Sequence, residues 1–130
     1  MSGPQSNCAA WLSKAENDLL NIENNLAAAR VPWDTVCFHA QQAAEKLLKG
    51  FLVFHGRGLI HTHDLIALLS ACTQVNPSLA KLQQDCQRLT YYAVAARYPH
   101  DFHEPNEEDG REMIEAVRHV RTEILSCLKL

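Results

Sequence analysis

Between Arg97 and Pro105 the chain reads RYPHDFHEP, which brings Arg97, Tyr98, His100 and His103 close together. Arginine presents a planar fork of donors that matches phosphate oxygens. Histidine titrates near neutral pH and can give or take a proton. Cleaving RNA without a metal needs a base for the 2′-hydroxyl proton, an acid for the leaving oxygen and a cation to steady the phosphate. Arg97 and His103 are of the right types for that work. One histidine cannot easily be acid and base at once, so the chemistry calls for a second copy across a two-fold axis, or for His100 as a weaker candidate within one chain. The bland reading stands beside it: Arg97 ties the end of a helix to acidic neighbours and His103 faces water. Asp101, Glu104, Glu107, Glu108 and Asp109 outnumber Arg97 and Arg111 here, a balance that repels a polynucleotide.

A second candidate group is Gln41, Gln42, Glu45, Lys46 and Lys49. Lys46 or Lys49 could hold a nucleotide phosphate. Glu45 and Lys49 could equally form an i,i+4 pair on an exposed face. A third account is preferred, in which buried polar groups fix packing or a dimer seam, because such groups must find partners and so specify geometry. The seven histidines raise the question of a metal. His61-Thr62-His63, with His55 nearby, and His100-x-x-His103 have usable spacings, but zinc sites gather three or four ligands, and no HExxH pattern occurs. No metal or cofactor is expected. Arg111, Arg118 and Arg121 form a basic stripe, with Glu115 placed to pair within it.

Helices must position these residues. Leu12, Ala15, Leu19, Ile22, Leu26 and Ala29 step by three and four, predicting a first helix over Ala9 to Ala29. Pro32 suits the first turn of the next, from Trp33 to His55. There Val36, Ala40, Ala43, Leu47, Phe51 and Phe54 make one apolar line, and Cys37, Ala44, Leu48 and Leu52 a second. So wide an apolar surface predicts a central helix with neighbours on two sides. Gly56, Arg57 and Gly58 end it.

A third helix is expected from Thr62, with Thr62 as its cap and Asp64 in its first turn. Asn76-Pro77 caps and opens a fourth, which carries Leu79, Leu82, Cys86, Leu89 and Ala93 inward and fades before Pro99. Asn106 caps a fifth, opened by Glu107, Glu108 and Asp109, with Met113, Val117, Val120, Ile124 and Cys127 inward. The fold class is therefore all-α: an up-and-down antiparallel bundle of four to five helices, as one domain over 1–130 with its core at about 9–128.

Composition narrows the function classes. The length of 130 residues suits one domain, and a hydrophobic share of 47% argues against disorder. A net charge of −3 argues against broad, charge-driven nucleic-acid binding but leaves room for a small phosphate site. No apolar run is long enough to span a membrane, and the first residues lack the basic and apolar regions of a signal peptide. Cys8, Cys37, Cys72, Cys86 and Cys127 are odd in number and scattered, as expected of core thiols in a reducing compartment. A cytoplasmic location is expected.

Three segments together carry a resemblance: AQQAAEKLLKGFLVFHG at 40–56, THDL at 62–65 and RYP at 97–99. In this order and spacing they resemble the HEPN domain family (higher eukaryotes and prokaryotes nucleotide-binding), from about Trp11 into the final helix. The resemblance implies an up-and-down bundle that commonly dimerises. Many small bacterial and archaeal members pair with a minimal nucleotidyltransferase, often as a toxin–antitoxin set. Others are metal-independent ribonucleases with an Arg, four to six residues and a His, the site forming across the dimer. Arg97 and His103 fit that motif with five residues between them. Tyr98 follows the Arg, where active ribonucleases often carry Asn, Asp or His, and RYP is the form of the nucleotidyltransferase-associated group. Pro105 stands where some toxins carry a modifiable Tyr.

The expectation is thus a nucleotide- or RNA-associated binding module, homodimeric and partnered by a minimal nucleotidyltransferase. Arg97, Tyr98, Lys46 and Lys49 are its candidate phosphate contacts. A metal-independent endoribonuclease using Arg97 and His103, and a non-catalytic assembly domain, are the alternatives.

Overall fold

A computed structural model describes residues 4–58, 60–95 and 104–128, with side chains for all of these except 4–6 and 92–95. Five α-helices make the fold: α1 (Pro4–Leu26), α2 (Trp33–Phe54), α3 (Leu65–Val75), α4 (Gln83–Ala95) and α5 (Glu107–Leu128). A 3-10 segment, Pro77–Leu82, leads into α4. No strand occurs among the described residues.

Helix α2 is the central element, as its two apolar lines predict. It packs against all four other helices, whereas α1 packs chiefly on α2. Val36, Cys37, Ala40, Ala43, Ala44, Leu47, Leu48, Phe51 and Leu52 are buried. Burying each of the larger ones contributes about 1.5–3 kcal/mol. The core is completed by Leu65, Leu68, Leu69 and Cys72 of α3, by Leu79, Leu82, Cys86 and Leu89, and by Met113, Val117, Val120 and Ile124 of α5.

Two ends define the bundle. Trp33, which opens α2, packs on Gly110 in the first turns of α5, so these two helices start together. Glu16 of α1 meets Arg121 of α5 at 2.6 Å near mid-length. Cys8 of α1 lies beside Gly50, close to the other end of α2, so α1 runs opposite to α2. Lys81 of the 3-10 segment pairs with Glu123 and Asp85 of α4 with His119, so the 3-10 segment and α4 run antiparallel to α5.

Local chemistry sets the boundaries, sometimes differently from the sequence expectation. α1 begins at Pro4 and stops at Leu26, leaving Ala29 exposed outside it. The cap of α3 is Asp64, not Thr62: its carboxylate accepts from the Ile66 and Ala67 amides at 2.9 and 3.3 Å. Thr62 Oγ1 instead accepts from the Asp64 amide at 3.1 Å, fixing the cap from outside the helix. A carboxylate is the stronger acceptor at a positive helix end, so it takes the cap position. Asn76 caps as expected, but opens a 3-10 segment.

Asn106 and Asp109 form a reciprocal capping box at α5: the Asp109 amide donates to Asn106 Oδ1 at 2.9 Å, and the Asn106 amide donates to Asp109 Oδ2 at 3.0 Å. At the far end of α2, Gly56 adopts φ +68°. Its amide donates to Val53 O and the Arg57 amide donates to Leu52 O, a Schellman turn that needs a residue without a Cβ.

Candidate functional site

Arg97, Tyr98, His100 and His103 lie outside the described residues. The flanking helices are described. α4 ends at Ala95, and α5 begins at Glu107 beside the start of α2. That end of the bundle carries Asp34 on α2 and Glu107, Glu108 and Asp109 on α5. Buried Cys37 lies within reach of the same charges. Its thiol is pushed up to about 12, first by burial and then by the Asp109 and Asp34 carboxylates. Arg111 is the local cation, bonded to Glu107 at 2.9 Å with its guanidinium 5.5 Å from the Trp33 ring centroid.

The α2 candidates form two charged clusters, each built on one carboxylate. Asp18 of α1 receives Lys46 Nζ at 2.6 Å on one oxygen, and His39 Nδ1 lies 2.8 Å from the other. Glu45 receives Lys49 Nζ at 3.2 Å, and His63 Nδ1 lies 2.9 Å from its second oxygen. Glu45 and Lys49 are the i,i+4 pair read from the sequence, but they are buried rather than on an exposed face: their side chains are 5% and 8% exposed. Trp11 of α1 covers Lys49, whose Nζ stands 5.6 Å from the ring centroid.

Gln41 is also buried, and its Oε1 accepts from Gln42 Nε2 at 2.9 Å. The Gln-Gln-x-x-Glu-Lys-x-x-Lys segment is thus a partnered polar layer over the core. Lys46 keeps 22% of its side-chain surface; Lys49 is enclosed.

Asp18 is the partner of Lys46 and His39 that sequence reading missed. One signal was available: position 18 falls between Ala15 and Ile22 at helical spacing, on the apolar face, where a carboxylate must find partners. His63 reaches Glu45 from 18 residues away, and no local pattern reports that.

The remaining candidates are placed as follows. His63 turns to Glu45, and the His55 ring packs on Phe51 and Phe54 with centroids at 4.5 and 5.1 Å. Among the described residues no three His, Cys, Asp or Glu side chains gather as a metal site. On α5, Arg111 and Arg121 pair with Glu107 and with Glu16 of α1, rather than with Glu115.

An all-helical bundle with a central helix, a polar layer of Gln, Glu and Lys upon it and an arginine–histidine segment between its last two helices defines a class. The HEPN domain model matches residues 8–127, and the chain belongs to that family. The family is nucleotide- and RNA-related, and its domains commonly dimerise. No curated protein and no solved structure matches the chain significantly. No helix among the described residues is long and apolar enough to cross a membrane.

Proposed function

We propose that this chain is a nucleotide- or RNA-associated binding module that works beside a minimal nucleotidyltransferase in a toxin–antitoxin-like pair, as a homodimer in the cytoplasm. The observation that carries the reading is the family match over 8–127; its finer part is supported by RYP at 97–99, which resembles the form of the nucleotidyltransferase-associated group. Arg97 is the phosphate or partner contact, with Tyr98 and His103 beside it. Lys46 joins only by exchanging Asp18 for a phosphate, and Lys49 supports the site from within the polar layer. The whole of 1–130 acts as one domain.

A second reading is favoured by one observation, the five residues between Arg97 and His103. On that reading two chains meet, one His103 takes the 2′-hydroxyl proton, the other protonates the leaving oxygen, and the Arg97 pair steadies the phosphate. The carboxylates at the start of α5 weigh against a polynucleotide substrate there, so the binding reading is preferred.

Co-expression with a neighbouring nucleotidyltransferase reading frame tests the first reading: the two proteins co-purify, and Arg97→Ala weakens the complex or its nucleotide binding. Incubation with mixed RNA in excess chelator tests the second. Cutting by wild type that is lost in both Arg97→Ala and His103→Ala makes the protein a ribonuclease. No cutting and no co-purification leaves the assembly role, for which Leu20 of α1, Phe38 of α2 and Tyr91 of α4 are the large exposed hydrophobic side chains among the described residues.

A further inference from the structure

Several carboxylates of this chain gather at one end of the bundle. Asp34, Glu104, Glu107, Glu108 and Asp109 stand at the end where α2 and α5 begin, against Arg30 and Arg111. The opposite end, about 33 Å away along the 22 residues of α2, carries the connection from α2 to α3. His55, Arg57, His61 and His63 are all exposed there.

The carboxylates near that connection are already engaged. Glu45 is buried under Lys49 and His63, and Asp64 is turned into the first turn of α3. No ion pair involves His55, Arg57 or His61 among the described residues. The first turn of α1, which reaches the same end beyond Cys8, carries no acidic residue.

The first residues of the connection form a defined turn. Gly56 and Gly58 both hold positive φ, +68° and +77°, on either side of Arg57, and the Arg57 amide is bound to Leu52 O at 3.0 Å. The Arg57 backbone is therefore held at the end of α2 by a Schellman turn, and its side chain is exposed. His55, supported from below by Phe51 and Phe54, offers a planar ring at the surface. His63 keeps 69% of its side chain exposed while one ring nitrogen holds Glu45.

We propose that this α2–α3 connection is a second, independent contact surface for single-stranded RNA, in which Arg57 and His61 bind backbone phosphates and the His55 ring stacks a base. The inference rests on the reading of the protein as RNA-associated. A net charge of −3 is no obstacle, because the nearby carboxylates Glu45 and Asp64 are already engaged and a phosphate responds to the local field. An acidic protein segment would use the cations but leave the supported imidazole without a role, whereas single-stranded RNA uses both a fork for phosphate and a flat ring for a base.

The test measures fluorescence anisotropy of a labelled single-stranded RNA with the full chain across a salt series. Arg57→Ala/His61→Ala is expected to weaken binding at least about tenfold at low salt and to flatten the salt dependence by about one unit of slope for each lost phosphate contact. Lys14→Ala, which removes an exposed charge from α1, is expected to leave this binding within about twofold. Unfolding curves for the double variant that overlay wild type confirm that the loss is local.

If wild type binds RNA and the double variant binds as well, the surface is wrong while the RNA reading stands. If Arg97→Ala alone abolishes binding, the RNA sits at the α4–α5 segment and the proposal falls. If wild type binds no RNA at low salt, the proposal also falls, and co-purification with the nucleotidyltransferase, which does not involve this connection, decides the broader reading by itself.

Discussion

The indole of Trp33 occupies the space that a side chain at Gly110 would need: a Cβ built there comes within 2.3 Å of Trp33 Cε3. This contact joins the starts of α2 and α5, and so sets where the segment between α4 and α5 must end. Gly110→Ala is expected to destabilise the fold by about 1–3 kcal/mol, because overpacking outweighs the gain of about 1 kcal/mol that alanine brings to a helix. Urea unfolding measures it. Trp33→Leu in the same chain should recover part of the loss, and a Gly110→Ala variant as stable as wild type would show that Trp33 can move freely.

Glu45 and Lys49 are a buried pair, and removing one partner leaves the other charged and enclosed. Glu45→Ala is expected to cost about 3–5 kcal/mol, and Glu45→Met/Lys49→Met much less than the single change, since apolar replacement of a whole buried pair is often close to neutral. The double-mutant cycle in denaturant reads the coupling directly. Equal losses in the single and double variants would mean that water reaches the pair.

Asp18 serves two partners while Lys46 and His39 each serve one. Asp18→Ala is therefore expected to cost about 1–3 kcal/mol, more than Lys46→Ala, whose side chain already touches water. Asp18→Asn should fall between them. If Lys46→Ala proves the costlier change, the lysine has a role beyond holding Asp18.

Burial pushes the Cys37, Cys72 and Cys86 thiols from an ordinary 9.0 up to about 12. With an aromatic disulfide reagent near pH 8, half-buried Cys127 should label first, and Cys8, Cys37, Cys72 and Cys86 only as the chain unfolds. The folded thiols keep protons that the unfolded chain releases above 9.0. Stability due to these groups is therefore complete below that pH and declines as pH rises toward about 12, by about 1.4 kcal/mol per pH unit for each thiol. Rapid labelling of all five in native buffer would contradict the buried placement.

Much of the helical frame was legible because its signals are local. The two apolar lines of α2 predicted a central helix, and α2 does pack on every other helix. Asn106 and the acids after it predicted the start of α5, and the capping box lies there. The boundary at Thr62 was misread because Thr62 and Asp64 are both good caps, and their order is decided by which oxygen reaches the free amides of Ile66 and Ala67. Helical periodicity likewise reports a stripe but not its depth. It paired Glu45 with Lys49 and could not show that the pair is buried, with Trp11 over Lys49.

The sequence by itself determined the helices, their order, the family and the types of residue that can meet a phosphate, because periodicity, caps and motifs act over a few residues. Only the tertiary structure decided which charges stand free. Asp18 meets Lys46 from 28 residues away, His63 meets Glu45 from 18, and Asp34, Glu107, Glu108 and Asp109 gather at one end while Arg57, His55, His61 and His63 hold the other. A charge's availability depends on what the fold brings to it and on how much water remains, and neither is written in its near neighbours in the chain.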